Sequence, residues 1–338
     1  MAIPAKTVTL AVNTLFATTW EKRVEAGITM DNVSKITPLT ALVHRLGQAG
    51  NDDVPGGPSP EVKPWSGGRN IVFPVELDLN ESVQSIARGA AVTLVDSDPA
   101  RTGEEDWRDV TGHVLRFRND IWDNVGAARI MDLVALKVRN LEKAFAQNFE
   151  TRSFVGQVAA EDPLGLPDII MSAVTTGTVH GLDQATFESW RNQITACAAA
   201  GFAIEGRRDM NALHMLCQTY FGRINLIMTS PTVFRYVYEE ADEYKVIQNK
   251  QIATLNFQSV SPWPGCDVMW SPSMTAAAMF FIDTRYLWWA QHPSAKFVLD
   301  DWMGIPYQPF DKVAHAVNRG NWIAPKRNGL GYYYDITA

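Results

Sequence analysis

The residues best suited to acid–base chemistry are three pairs of adjacent carboxylates. They are Glu104-Glu105, Glu239-Glu240 and Asp300-Asp301. Two carboxylates can divide the roles of general acid and general base when their surroundings separate the two pKa values. Adjacent carboxylates are more often part of a polar surface that faces solvent. We therefore predict that none of these pairs is catalytic.

Histidines and cysteines are the next candidates, as ligands for a metal ion. The six histidines stand at positions 44, 113, 180, 214, 292 and 315, without an HExxH motif. His214 and Cys217 would share one face of a helix, but tetrahedral zinc needs a third and a fourth ligand. The remaining cysteines, Cys197 and Cys266, are distant from each other and form no CxxC. We predict no metal site, no disulfide framework, and small buried thiols that stay reduced.

Motifs that bind phosphate or activate a nucleophile are missing from the sequence. There is no GxGxxG, P-loop or GxSxG motif, and Gly201–Gly206 (GFAIEG) lacks the lysine that reaches a phosphate. Trp288-Trp289 and Tyr332-Tyr333-Tyr334 could stack on bases, but no basic residues alternate with them. We interpret these aromatic runs as packing groups. The sequence predicts no catalytic, cofactor-binding or metal-binding residues, and a protein that is not an enzyme.

Composition limits the classes of protein further. The 338 residues are 46% hydrophobic and 20% charged, which is typical of a globular chain of about two domains. The net charge of −7 and the longest basic clusters, Arg207-Arg208 and Lys326-Arg327, argue against a dedicated nucleic-acid binder. No basic segment followed by an apolar stretch opens the chain, and no apolar run approaches the ~20 residues of a membrane span. We expect a protein that folds in a cytoplasm and has no membrane partner.

The elements that would carry these residues begin with an arm and an extended excursion. Residues 51–68 are dense in glycine and proline, which indicates a loop or arm. Arg69–Leu77 and Gly112–Phe117 are predicted strands, separated by a long polar stretch. We interpret this block as a two-stranded excursion, which is marginal alone and needs a neighbouring surface.

A long helix is the clearest element. Residues Asn124 to Glu150 contain no proline, and an apolar stripe recurs at helical spacing through Ile130, Val134, Val138, Leu141, Phe145 and Phe149. Such a helix would be roughly 40 Å long at 1.5 Å per residue.

The remainder mixes helices with short strands. Helices are predicted over Asp183–Ala200 and Arg208–Phe221 and from Ser230-Pro231 onward, where serine and proline form a helix start. Predicted strands are Asn225–Thr229, Met279–Ile282, Lys296–Leu299, Val313–Val317 and Leu330–Ile336. Helices and strands are grouped rather than alternating, which favours the α+β class.

The order of these features resembles the major capsid proteins of tailed bacteriophages. Local similarity lies in LGLPDII (Leu164–Ile170), GLDQATFESWRNQ (Gly181–Gln193), LIMTSPTVFRYVYEE (Leu226–Glu240) and MFFIDTRYLWW (Met279–Trp289). The resemblance implies an N-terminal arm (1–55), an extended β-hairpin loop or E-loop (56–122), a peripheral domain with a spine helix (123–181) and an axial domain (182–300). Residues 301–338 would be C-terminal strands that return to the peripheral domain.

The function implied by this resemblance is assembly. The chain would self-assemble as pentamers and hexamers into the icosahedral shell that encloses the double-stranded DNA genome. It would be located in the virion after assembly in the host cytoplasm. Its partners would be itself, a scaffold protein, a portal and decoration proteins, with only weak non-specific contact to packaged DNA. The chain begins almost directly with the arm, so a separate scaffold protein or a processed chain is expected.

Some members of that family cross-link a loop lysine to an asparagine of a neighbouring subunit. Lys63 stands at the start of the expected loop, but nothing in its surroundings marks it as reactive. We predict no covalent cross-link.

Two other functions stay open at the level of sequence. An encapsulin, the shell protein of a bacterial nanocompartment, is built on the same fold and would enclose a cargo enzyme. A soluble α+β enzyme with an unrecognised site is the alternative of another class.

Overall fold

The computed structural model describes most of the chain, namely residues 35–43, 60–65, 67–80, 82–83, 85–88, 91, 98–118, 133–241, 260–263, 265–296 and 298–337. The start of the predicted long helix, residues 124–132, lies outside these residues. Its α-helices are α1 (Pro38–Ala41), α2 (Leu133–Val155), α3 (Leu166–Ile169), α4 (Arg207–Thr219) and α5 (Pro231–Ala241).

The strands are numbered in chain order. They are β1 (Glu61–Pro64), β2 (Asn70–Glu76), β3 (Ala100–Asp106), β4 (Arg108–Arg116), β5 (Thr178–Val179), β6 (Leu182–Asp183), β7 (Gln193–Ala196), β8 (Leu226–Thr229), β9 (Val260–Trp263), β10 (Cys266–Trp270), β11 (Met279–Ile282), β12 (Trp288–Gln291), β13 (Val298–Leu299), β14 (Met303–Ile305), β15 (Gln308–Ile323) and β16 (Gly331–Tyr334).

The chain forms two compact units. The smaller contains Val110–Asn148 and Ser294–Asn318, and the larger contains Ile36–Asp109, Phe149–Pro293 and Arg319–Ala338.

The larger unit is organised around a six-stranded sheet of order β7-β16-β11-β8-β10-β9, which we call the central sheet. Strands β8 and β11 are antiparallel and all of their residues are buried. Because side chains alternate across a sheet, Leu226 and Met228 enter one apolar core while Ile227 enters another. The central sheet is therefore covered on both faces, as its uninterrupted apolar strands indicate.

Helices α4 and α5 cover one face of the central sheet. From α4, Met210, Leu213 and Cys217 are buried at spacings of three and four residues. Helix α5 begins at Pro231, as predicted, and buries Val233, Phe234 and Val237 in the same core.

A second sheet is built on the long strand β15. Its last residues pair with β12, which pairs in turn with β1. In the smaller unit, its first part pairs with β13 and β14. Val313–Val317 is thus confirmed as strand, within a much longer one than predicted.

Strands β2 and β3 form an antiparallel pair, which we call the ribbon. The partner of β2 differs from the expected one, because Gly112–Phe117 lies mostly in β4, which pairs with β15. Strand β3 occupies the stretch predicted as a polar connection. The ribbon also buries Ile71, Phe73 and Val75 against Leu182, Trp190 and Ile323 of its own chain. The chain itself therefore supplies a surface of the kind that a two-stranded excursion needs.

The spine helix, α2, is confirmed over its described part but ends at Val155 rather than Glu150. Phe145 and Phe149 are buried on the predicted apolar stripe. Leu141 is half-buried and packs over Gly112, where an added Cβ would lie 2.6 Å from the leucine Cδ1.

The predicted helix over Asp183–Ala200 is wrong. This segment contains the end of β6, a short 3-10 turn at Glu188–Trp190, and β7. The Asp183 carboxylate accepts bonds from the Ala185 N–H (3.0 Å) and the Thr186 hydroxyl (2.8 Å), which favours a turn over a helix. Ile194 lies opposite Tyr332 in a parallel pairing with β16.

The expected domain boundaries stay predictions, but two pairings cross them. The β5–β6 hairpin joins residues on both sides of position 181, and β16 pairs with β11 of the expected axial domain. At least one of the C-terminal strands thus belongs to the central sheet rather than returning to the peripheral domain.

Candidate functional site

An acidic cleft of about 520 Å³ lies in the larger unit. The carboxylates that line it are Glu104, Glu105, Asp106 and Asp168, and His180 lines it as well. One of the three acidic pairs singled out from the sequence thus faces a cavity together with a histidine. This is the constellation in the described residues that most resembles acid–base machinery.

His180 is held by its neighbours rather than presented to the cleft. Its Nε2 lies 3.3 Å from the Ala324 N–H and accepts from it, which leaves Nδ1 to donate to Glu105 Oε2 at 2.9 Å. The side chain is completely buried, and burial lowers the pKa of His180, with the charge of Arg327 acting in the same direction and Glu105 against it. A neutral imidazole with both nitrogens occupied is a structural link between the ribbon and the β5–β6 hairpin.

The cleft carboxylates also have structural partners. Asp168 Oδ2 accepts from the Gln157 N–H at 2.7 Å and the Gly165 N–H at 2.8 Å, and Asp106 lies 3.6 Å from Arg108. Within the described part of the chain, neither a serine nor a cysteine lines the cleft. Three of the four cleft carboxylates, Glu105, Asp106 and Asp168, therefore take part in internal hydrogen bonds or ion pairs, which favours a structural role for them.

The other candidate acids lie apart from one another. Glu239 is exposed and lies 3.5 Å from Arg235 on the same helix, and Glu240 is half-buried. Asp300 and Asp301 are both exposed.

The candidate metal ligands are separated by their environments. His214 stacks on Trp263 with ring centroids 4.5 Å apart, whereas Cys217 is buried in the core beneath α4. Burial raises the pKa of the Cys217 thiol to about 12, and burial also raises that of Cys266. Cys197 is half-buried, and all three cysteines are free thiols. No group of three or more His, Cys, Asp or Glu side chains in the described residues could hold a metal ion.

The aromatic runs are packing groups, as interpreted from the sequence. Trp289 and Tyr333 are buried, while Tyr332 and Tyr334 stack at 5.8 Å. Lys63 Nζ lies 3.2 Å from the centroid of the Trp288 ring, so its ammonium faces an aromatic surface of its own chain.

Arg327 is a buried cation that sequence reasoning missed. Its guanidinium donates to the carbonyls of Ile169 (2.8 Å) and Trp190 (3.1 Å) and to the side-chain oxygens of Gln184 (3.0 Å) and Asn192 (3.2 Å). Burial lowers its pKa to about 9, so it stays charged at neutral pH. Four acceptors stabilise the charge and join α3 to the turns that precede β7.

Glu150 is the corresponding buried anion. Its carboxylate accepts from the backbone N–H groups of Leu39 (3.2 Å) and Thr40 (2.8 Å) and from the hydroxyls of Thr40 (2.9 Å) and Ser271 (2.7 Å). The two N–H groups belong to the first turn of α1, so a side chain 110 residues away caps that helix. Glu150 therefore ties the segment around α1 to the spine helix and the central sheet.

Three groups stand out among the exposed apolar side chains. Leu79, Val83 and Ile86 lie in the connection between β2 and β3, Met303, Tyr307 and Phe310 lie on or between the strands of the smaller unit, and Met215 and Phe221 lie near the end of α4. Exposed groups of large apolar residues are typical of interaction surfaces. Because three of the cleft carboxylates take part in internal bonds, these exposed apolar surfaces are the candidate functional sites.

Solved structures of similar fold identify the architecture. The capsid subunit of cyanophage A-1(L) matches with a TM-score of 0.69 over 92% of this chain and 95% of that chain, at 14% identity. The chain has the fold of a tailed-phage capsid subunit. The capsid of a native GTA particle matches with a TM-score of 0.58 over 92% of this chain and 94% of that chain, at 12% identity. The α+β class and the capsid fold expected from the sequence are confirmed.

The same fold also occurs in a shell of another kind. The SrpI encapsulin from Synechococcus elongatus matches with a TM-score of 0.51 over 92% of this chain and 95% of that chain, at 12% identity. No protein-family model and no curated protein matches the chain. No helix among the described residues is long and apolar enough to cross a membrane.

Proposed function

We propose that this chain is the major capsid protein of a tailed phage. It self-assembles as pentamers and hexamers into an icosahedral shell around double-stranded DNA. The match to the cyanophage capsid subunit over nearly the whole length of both chains carries this proposal.

The surface of the chain supports assembly rather than catalysis. The cleft residues are engaged in internal hydrogen bonds, whereas apolar side chains such as Val83, Tyr307 and Phe221 are exposed. Covering such area in several contacts per subunit stabilises a shell at ~25 cal/mol per Å². Rings of five and six copies need heterologous contacts, in which two different surfaces of the chain meet.

The charge of the chain suits a container for DNA. A net charge of −7 disfavours tight binding to the phosphate backbone, so packaged DNA contacts the shell only weakly and non-specifically. In this function the protein is a component of the virion and assembles in the host cytoplasm. A scaffold protein, a portal and decoration proteins are the partners such a shell needs.

Electron microscopy of the protein, expressed alone and with a candidate scaffold, tests the proposal. We expect closed shells built from rings of five and six copies. Small discrete oligomers in both preparations would contradict it. An elution volume of a monomer or small oligomer, together with catalytic turnover, would favour a soluble enzyme instead.

An encapsulin-type shell is the second candidate, because the SrpI encapsulin shares the fold. Similar solved structures that are capsids of phages or GTA particles favour the phage capsid. The contents of purified particles separate the two functions. Nuclease-protected DNA in particles from an infected or induced host supports the capsid, whereas a stoichiometric cargo enzyme supports the encapsulin.

A further inference from the structure

The turn that follows α4 holds an aromatic side chain out in solvent. Phe221 is 85% exposed, and Tyr220 before it and Met215 in the last turns of α4 are exposed as well. The backbone of Phe221 has a φ of +58°, a left-handed conformation that is rare for a bulky side chain. Strained backbone of this kind persists only where the surrounding structure maintains it, and it occurs often at functional surfaces.

The surrounding structure fixes this turn from several directions. The Phe221 N–H donates to the Gln218 carbonyl at 2.9 Å, and the Gly222 N–H donates to the Cys217 carbonyl at 3.0 Å. A Cβ at Gly222 would lie 2.6 Å from the Gly329 carbonyl oxygen, so only glycine allows the two backbones to approach. Phe221 is therefore presented by a rigid turn.

Two cations that are far apart in sequence, Arg285 and Lys326, lie beside Phe221, and a third, Arg223, follows it in the chain. Arg285 Nη2 lies 3.4 Å from the Phe221 carbonyl oxygen, and Lys326 Nζ lies 5.8 Å from the Phe221 ring centroid. Arg223, two residues after Phe221, is exposed, and its N–H donates to Asp283 at 2.8 Å.

One carboxylate balances these three cations. Asp283 is buried and pairs with Arg285 at 2.6 Å. Among the described residues, no carboxylate forms an ion pair with Arg223 or Lys326. Phe221, Arg223 and Lys326, which we call the knob, thus combine an exposed aromatic ring with surplus positive charge. They lie on a chain whose net charge is −7.

The chemistry of the knob favours a protein partner. Phosphate recognition needs only the cations, so an exposed Phe221 and Met215 would contribute nothing to backbone contacts with double-stranded DNA. An aromatic group with adjacent arginine and lysine is typical of the centre of a protein interface. Because each copy of the chain is acidic, a second copy offers the complementary charge.

We infer that Phe221, Arg223 and Lys326 form a contact surface between copies of this chain, and that it docks on an acidic surface of the neighbouring copy. The inference rests on the proposed function, because a ring of identical subunits joins two different surfaces of the chain. The contact is electrostatic at its edge and apolar at its centre, so salt weakens it.

Two variants test the surface without disturbing the fold. Phe221→Asn removes the ring and places a residue that tolerates the left-handed conformation. The double variant Arg223→Glu, Lys326→Glu reverses the charge of the knob. Arg139→Glu, at an exposed position on the spine helix, is the matched control for charge reversal. We expect unchanged melting temperatures in all three, and a loss of shell yield of about tenfold or more in the first two only.

Cross-linking with a carbodiimide identifies the occupant directly. In shells assembled from mixed ¹⁴N and ¹⁵N subunits, we expect Lys326 to be joined to a carboxylate of a different copy. Wild-type shells without such a link, or normal shell yield from both knob variants, would refute this inference and leave the proposed function intact.

Two further outcomes are decisive. Knob variants that assemble normally but retain less DNA would show that the surface serves nucleic acid, which overturns the inference. Wild-type protein that neither forms shells nor self-associates in sedimentation would overturn the inference and the proposed function together.

Discussion

Two antiparallel pairings in the larger unit use their faces differently. In the central sheet, β8 and β11 bury every residue, with Phe280 in one apolar core and Phe281 in the other. In the ribbon, β2 buries Ile71, Phe73 and Val75 and leaves Val72, Pro74 and Glu76 outside its core. The central sheet is complete within the subunit, whereas the ribbon has one face available to other molecules.

This difference locates the parts of the chain that depend on neighbours. The buried face of the ribbon belongs to the subunit core, so replacing β3 (Ala100–Asp106) would disturb folding. Leu79 and Val83, in the connection between β2 and β3, are by contrast almost fully exposed. We therefore expect the connection between β2 and β3, rather than the ribbon strands themselves, to depend on neighbouring subunits.

Placing a carboxylate in the central sheet and on the outer face of the ribbon should give the largest difference in stability. Phe281→Asp places an unpaired carboxylate in a completely buried position, so we expect a loss of more than about 4 kcal/mol in unfolding free energy and insoluble protein. Val72→Asp, at a half-exposed position on the ribbon, should cost about 1 kcal/mol or less. Soluble yield measures the effect of Phe281→Asp, and urea unfolding measures that of Val72→Asp. Soluble Phe281→Asp protein with the same urea midpoint as Val72→Asp would mean that the two strands are buried alike.

Truncation of the ribbon's inner face should have the next largest effect. Phe73→Ala removes a buried ring that packs against His180 at a centroid distance of 5.5 Å. We expect a loss of about 3–5 kcal/mol in unfolding free energy. Pro74→Ala on the outer face is the control. A Phe73→Ala protein as stable as this control would restore the idea that the ribbon lies outside the core.

The pH dependence of stability should report on Glu150, which ties α1 to the central sheet. Burial raises its pKa above the ordinary value of 4.5, with the four hydrogen bonds acting against burial. The native state then holds the proton more tightly than the unfolded state. The contribution of Glu150 to the unfolding free energy is therefore greatest near and below pH 4.5. It falls as pH rises toward the raised pKa, by up to about 1.4 kcal/mol per pH unit.

Glu150→Gln removes this titration, and Glu142→Gln, at an exposed position on the same helix, keeps it. The comparison uses denaturant unfolding of each variant between pH 5 and pH 7.5. Wild-type stability that rises with pH relative to Glu150→Gln would contradict the raised pKa.

Much of the central sheet was predictable, because its strands are short apolar runs between turn residues. Met279–Ile282 agrees residue for residue, and α5 begins at the predicted Ser230-Pro231 signal. Strand β3 was missed because Gly103, Glu104 and Glu105 carry no strand pattern, and pairing with β2 determines their conformation. The helix over Asp183–Ala200 was wrong because Phe187, Trp190 and Ile194 match helical spacing by coincidence.

The functional residues were less predictable than the fold. Nothing in the sequence around Glu150 and Arg327 shows that each is buried among neutral partners, and only the tertiary structure does so. The knob joins Phe221, Arg223 and Lys326 across about a hundred residues, and the basic pair Lys326-Arg327 gives no sign that Lys326 lies beside Phe221. The sequence pattern identified the acidic pair Glu104-Glu105, but it did not show that His180 forms a hydrogen bond with Glu105.

Substitutions in the connection between β2 and β3 should have the smallest effect on folding. Leu79→Ser with Val83→Ser changes side chains that are almost fully exposed, so the unfolding free energy should change by less than about 0.5 kcal/mol. Shell yield should nevertheless fall, because these side chains are covered only in the assembly. A clear loss of subunit stability would mean that this segment packs on its own core.

Electron microscopy of the purified wild-type protein, with and without a scaffold, tests the central claim most directly. The capsid fold and the three groups of exposed apolar side chains lead us to expect closed shells made of rings of five and six copies. A preparation of folded protein that contains only monomers or small discrete oligomers, even with the scaffold present, would contradict the account.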